Sequence, residues 1–328
     1  MSTFSNRVFG CAIIKAINSN YNADFTHQPR MLPDGVAYAT DKAFKYLIKF
    51  YLIQNSKDNN IFYFKRSDKA MNPLDLAATY LEVFKKEVKD DGKQVILKNL
   101  LSCLDVRMFG ATFAPKGAGI DKKNISIHGP VQICHGMNRF PESIIFSEQI
   151  MSPFANQKDK KKDDSTENDE EVSKASMTTL GSQSKLREGH YVHHFSINPK
   201  NLTTHINQAG DGAPTLTEDD IKKLKEAMRR GATNYDSAAK AGTENEFLLW
   251  VQLKQDSNIV LPNFTPLVEI PKEKTADGKV KINLTKIKTL LNREGIKGNI
   301  EKVEYYFNPD TTSVEGTDEG WWEKHETL

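Results

Sequence analysis

Apolar positions along this chain switch between two spacings, and the switches mark its elements. Residues 7–17 (RVFGCAIIKAI) form a nearly unbroken apolar, β-branched run, which predicts a first strand covered on both faces. A loop dense in Asn, Asp, Pro and Gly follows, and from Thr40 to about residue 53 the spacing becomes helical. Phe44, Leu47, Ile48, Tyr51 and Leu52 make the buried stripe of that helix, with Lys42, Lys45 and Lys49 on another face and Thr40 placed to cap it. Residues 61–64 (IFYF) suggest a short strand, and 73–89 a helix started by Asn72 with Pro73 in its first turn. Residues 95–104 fit helix or strand equally. Strands are expected at 107–113 and 125–134, the second interrupted by Gly129-Pro130.

Residues 156–176 hold one large apolar residue, Val172, too few to offset the entropy of ordering, so a disordered charged loop inserted in the domain is expected. Beyond it, 191–197 (YVHHFSI) reads as a strand. Thr217 opens the clearest helix, with Asp220 at capping-box spacing, Ile221, Leu224 and Met228 on one face and Gly231 as its stop. Residues 247–253 (FLLWVQL) predict a strand buried on both faces, and 284–292 and 303–307 a last helix and strand. No repeat of fixed period is present. This order fits an α+β fold, an RRM-like (ferredoxin-like) βαββαβ sheet with large insertions, in a single domain over 1–328.

The net charge of +2, from 45 Lys+Arg against 43 Asp+Glu, does not by itself announce a nucleic-acid binder, which needs a clustered patch. Cys11, Cys103 and Cys134 stand far apart in apolar or strand-like surroundings and read as buried free thiols, without a disulfide framework or zinc site. No signal peptide and no run of about 20 apolar residues is present, so a cytoplasmic protein with no membrane partner is expected. His190, His193 and His194 invite a metal reading, but no carboxylate or cysteine lies at ligand spacing, and no metal or cofactor is expected.

Three segments carry a family resemblance. The first is RVFGCAIIKAINSNYNADF, continuing through Pro29 and Arg30 to YATDKAFKYLIKFYL. The second is DVRMFGATFA followed by ISIHGPVQI, and the third is TLGSQSKLREGHYVHHFSINP ahead of the capped helix and FLLWVQL. Together, over roughly residues 5–255, they resemble the Cas-seven-type backbone subunits of type I CRISPR Cascade complexes, closest to the I-B and I-C branches. Three positions depart from that pattern: Ala23 replaces a loop glycine, and Tyr46 and Leu47 stand where basic residues are commoner.

The resemblance implies a non-catalytic subunit that polymerises along CRISPR RNA, reads target DNA through the guide and joins other Cascade subunits and copies of itself. It implies a sheet palm with finger and thumb insertions, a thumb-like segment at 179–199 and a C-terminal extension at 260–328. Such a subunit holds phosphate and sugar rather than base edges. The residues that resemblance and chemistry together single out for RNA are Asn20, Asn22, His27 and Arg30 in the loop, and Lys42, Lys45 and Lys49 on the helix. Gln132, Lys185 and Arg187 complete the set, with Leu186 as a wedge between bases; Gly129–Gln132 reads equally as a simple bulge. The alternative is a metal-dependent ribonuclease using Asp24, as in type III backbone subunits.

Overall fold

The computed structural model describes residues 2–55, 60–117, 119–120, 122–155 and 177–328; the charged segment 156–176 lies outside the described residues. A nine-stranded, mostly antiparallel sheet organises a mixed α+β fold. At its centre is β1 (Val8–Ser19), paired antiparallel on one side with β8 (Met177–Ile197) and on the other with β9 (Thr243–Leu253). Outward from β9 come β11 (Ile300–Phe307), antiparallel, and β13 (Trp322–His325), parallel to β11. Outward from β8 come β6 (Gly136–Asn138) and β2 (Tyr38–Ala39), while β5 (Val131–Ile133) and β7 (Ile145–Ala155) pair with other stretches of β8.

The unbroken apolar run of β1 follows from cover on both faces. Val8, Ala12, Ile14 and Ala16 enter one core with α1 (Asp41–Asn55), α3 (Lys93–Ser102) and α6 (Glu218–Arg230). Phe9, Cys11 and Ile13 enter a second core, closed by residues beyond 260 that include α7 (Thr285–Leu291) and Trp322. Gly10 permits this packing, because a Cβ there would stand 2.3 Å from the Phe195 ring and 2.2 Å from the Leu249 carbonyl oxygen.

The stripe Phe44, Leu47, Ile48, Tyr51 and Leu52 is the buried face of α1, as the spacing predicts. In α6, Thr217 and Asp220 form the reciprocal capping box, and Asp220 also takes both arms of the Arg107 guanidinium at 3.1 and 2.9 Å. Arg107 lies in α4 (Leu104–Phe109), where a strand was expected; only β3 (Gly110–Phe113) of that run is extended. Residues 61–64 form no strand either. The Asp105 carboxylate accepts the Phe62 and Tyr63 amides, each at 2.8 Å, in place of a neighbouring strand.

The next helix, α2 (Leu76–Phe84), starts three residues later than expected, because Asp75 and not Asn72 caps it. The ambiguous run before Leu104 is helical, as α3. The interrupted run 125–134 is two strands, β4 (Ile125–His128) with β3 and β5 with β8. Gly129 separates them, its Cα so near the Phe109 backbone that a Cβ would come within 2.1 Å. The remaining elements are α5 (Thr203–Ala209), β10 (Val280–Asn283), α8 (Glu294–Lys297) and β12 (Thr312–Glu315). Cys11 and Cys103 are buried, but Cys134 is exposed, contrary to expectation. Among the described residues no helix is long and apolar enough to cross a membrane.

Candidate nucleic-acid interface

The loop between β1 and α1 is held by its own polar residues. Asn20 is buried, and its Nδ2 donates to the His27 and Ser184 carbonyls at 3.2 and 3.1 Å, tying the loop to β8. The Asn22 Oδ1 accepts from the Thr40 amide at 2.9 Å and its hydroxyl at 3.1 Å, joining the loop to the start of α1. The Asn20 donors are thereby both engaged internally, while the Asn22 amide makes one long bond, to the Ala23 carbonyl at 3.4 Å. The Asp24 Oδ1 accepts from the Thr26 amide and hydroxyl and the Gln28 amide, a turn-forming role. The Thr26 hydroxyl first, then the two amides and nearby Arg30, hold its carboxyl below the usual range against the opposing effect of desolvation.

What the loop displays is different. His27 is exposed, at a left-handed φ of 66°. Arg30 lies half-buried with its guanidinium 5.9 Å from the centre of the Phe25 ring. Behind the loop Tyr38 stacks on the exposed His135 at 5.7 Å, and His135 Nδ1 accepts the Asp41 amide.

On α1 the three lysines have separate fates. Lys49 Nζ donates to the Tyr63 carbonyl at 2.6 Å, and burial lowers its pKa against the opposing field of Asp105. Lys45 pairs with Asp41 at 3.0 Å one turn back and lies 5.5 Å from the Phe109 ring. Lys42 is exposed. Of the three lysines expected to grip phosphate, Lys42 is exposed, while Lys45 and Lys49 each hold an acceptor within the protein.

Lys42, Tyr46 and Lys49 form one wall of an open cleft of about 720 Å³, faced by Phe64, Lys65 and Lys116. The Tyr46 and Phe64 rings stack at 5.2 Å and 18°. Tyr46, Phe64, Lys65 and Lys116 were not singled out by sequence reasoning, since they come from segments more than fifteen residues apart that only the fold assembles.

The remaining expected contacts scatter. Gln132 is exposed on β5, its Nε2 turned back to the Gly129 carbonyl at 2.8 Å. Lys185 pairs with Glu148 at 3.1 Å across the β7–β8 ribbon, and Arg187 is exposed. Leu186, between them, is fully buried against Gly189 and cannot wedge between bases.

The three histidines sit inside the sheet with partners of their own. His190 bonds Glu246 at 2.5 Å and Glu188 at 3.4 Å; burial works to lower its pKa, but the two carboxylates raise it to about 9. His193 accepts the Tyr21 hydroxyl at 3.0 Å, donates from Nδ1 to the Cys134 carbonyl and is held near 4 by burial. His194 accepts the Phe264 amide at 3.2 Å. Among the described residues, the one grouping of histidine and carboxylates close enough to share a cation is Glu304, Glu323 and His325, on β11 and β13. Lys225, Lys302 and the Tyr306 hydroxyl already occupy the Glu304 oxygens there.

Comparison with known proteins gives this geometry a setting. No curated protein sequence matches the chain. The solved structures that resemble it include a chain of a "CRISPR RNA-guided surveillance complex" (TM-score 0.51, 12% identity, covering 98% of this chain and 95% of that one) and a chain of a "CRISPR RNA-guided surveillance complex, pre-nicking" (TM-score 0.56, 11% identity, 98% and 96%). At such identities the likeness speaks for the fold. The family model described as CRISPR-associated protein Cas7 matches residues 6–289, and the chain belongs to that family.

Proposed function

We propose that this protein is a non-catalytic, guide-RNA-binding backbone subunit of a type I Cascade complex, copies of which polymerise head to tail along CRISPR RNA. The observation that carries the reading is the family match over residues 6–289. The α1 flank supports it, with exposed Lys42 above a cleft that combines Lys65 and Lys116 with stacked aromatic rings. Head-to-tail contacts between identical subunits do not close and so build a filament, and the guide reads target DNA by pairing while protein supplies charge and shape. The I-B or I-C assignment rests on the sequence resemblance.

The finer architecture follows the same reading. The order β9–β1–β8–β6, with α1 and α6 sharing a core, fits an RRM-like palm in a single domain. The inserted helices α2 to α4 serve as a finger. The β7–β8 ribbon, from the Ile145–Leu186 pair outward, serves as a thumb toward the next copy, so the thumb lies mainly before the 186–197 stretch of β8 that pairs with β1. Residues 260–328 are the C-terminal extension. The RNA-contact set reduces to His27, Arg30, Lys42, Gln132 and Arg187, with Lys185 released from Glu148 on binding.

The ribonuclease alternative is disfavoured because Asp24 closes its own turn through Oδ1 and, among the described residues, belongs to no grouping of acids and histidines close enough to share a cation. Purification from cells that transcribe a CRISPR array tests the function: the protein should carry RNA of uniform length. Nucleic-acid-free material, or magnesium-dependent RNA cleavage lost in Asp24→Ala, would reject it.

A further inference from the structure

Phe25 is 97% exposed, the most open of the large apolar side chains described. Scattered exposed apolar residues need no explanation, but this one is not on a loose segment. The turn that carries it is closed by the Asp24 amide to the Gln28 carbonyl (2.8 Å) and the His27 amide to the Asp24 carbonyl (3.2 Å). Three further bonds converge on the Asp24 Oδ1, and an antiparallel bridge joins Ala23 to Pro29. One step back, the Arg30 amide donates to Asn22, the Tyr38 amide to Arg30, and Asn22 anchors the start of α1. The ring is therefore held out in water on a braced backbone, so that contact need order only its side chain and not the loop.

Beside the ring lies Arg30. Its guanidinium is 5.9 Å from the ring centre, its buried Nε has no partner, and no side-chain hydrogen bond of Arg30 is present among the described residues. Thr26 and His27, next to the ring in sequence, are exposed and polar, while Met31 and Pro33 later in the loop are exposed and apolar, so it is the cation beside the ring that favours a nucleotide over a protein partner. An uncovered π face with an unengaged, planar cation next to it matches one nucleotide: the base stacks and the guanidinium takes the adjoining phosphate.

We propose that Phe25 is a stacking platform for one nucleobase of the bound RNA, with Arg30 holding the phosphate beside it. The inference rests on the guide-RNA reading above and adds to it a base contact that is indifferent to sequence, since every base has a π face. It also accounts for Arg30 standing unpaired next to a ring rather than in an ion pair.

The test uses the full chain, a short single-stranded RNA of mixed sequence, and an RNA of the same length with abasic ribose throughout. A Phe25→Ala variant should melt with the parent, because the ring contributes almost nothing to burial. Its affinity for the base-bearing RNA should fall about 5- to 150-fold, the range for loss of one base–aromatic stack. The salt slope should not change, since no phosphate contact is removed. Phe25→Trp should restore affinity, and parent and Phe25→Ala should bind the abasic RNA alike.

Equal affinity of parent and Phe25→Ala for the base-bearing RNA overturns the inference while leaving the RNA-binding reading standing. So does an equal loss on both RNAs, and so does a loss confined to self-association, which would make the ring a contact between copies. A parent with no affinity for either RNA rejects both readings together.

Discussion

The loop at residues 20–40 and the helix α1 that follows it adjoin, yet they use their polar residues in opposite ways. In the loop the small polar side chains face inward as scaffolding: Asn20, Asn22 and Asp24 bond backbone, and Phe25, His27 and Arg30 stand toward solvent. In the helix two of the three long cations serve the protein itself, Lys49 at the Tyr63 carbonyl and Lys45 at Asp41, while Lys42 and Tyr46 stand exposed at the cleft. The lesson is that residue type fixes what a side chain can do, and the inventory of nearby orphan acceptors decides whether it is free to do it.

The sharpest way to break this contrast is to treat the lysines as equivalent. Lys49→Glu would set a carboxylate against the Tyr63 carbonyl and in the field of Asp105, and should cost about 3–5 kcal/mol of stability. Lys42→Glu should melt with the parent and lose affinity for RNA. Denaturant unfolding separates the two, and equal stability of both variants would refute the division of the helix.

Inside the sheet a buried charge pair makes a comparable contribution, tunable by pH. His190, raised to about 9 beside Glu246 and Glu188, binds a proton more tightly folded than unfolded. Its contribution, on the order of 3 kcal/mol, is fully present below the unfolded value near 6.5 and disappears as pH rises through 9. Melting curves at pH 6 and 9.5 should differ by several degrees in the parent and by much less in His190→Gln. His193 works the other way: held near 4 by burial, it contributes above pH 6.5 and loses that contribution as pH falls to 4.

Smaller effects come from the loop's own scaffolding. Asn22→Ala removes the acceptor for the Thr40 amide and hydroxyl and should cost about 1–2 kcal/mol, with weaker RNA binding as the loop loosens. If binding were unchanged at that loss of stability, the loop would not be part of the interface. Smallest is Lys42→Ala, which should lower the salt slope of binding by about 0.7, one phosphate contact.

Much of the frame was legible in the sequence because the signals were local. The β1 and β9 runs, the α1 stripe and the Thr217–Asp220 capping box each depend on residues within a few positions of one another. What escaped was decided at long range. Residues 61–64 look like a strand, and Leu104–Phe109 does not look like a helix, until Asp105 and Arg107 meet partners 42 and 113 residues away. The site was half legible for the same reason: the cations could be named from their spacing, but not that Tyr63 would claim Lys49 or that Gly189 would bury Leu186.

The central claim is that a braced loop and a single flank of α1 grip a sugar-phosphate chain without reading its letters. Titrating the purified, nucleic-acid-free protein with single-stranded RNAs of unrelated sequence, across a range of salt concentrations, tests it most directly. The account predicts the same affinity for each sequence and a linear fall of log K with log salt, with a slope of about 0.7 for every phosphate held. Absence of binding at low salt, or binding that salt leaves unchanged, would contradict it.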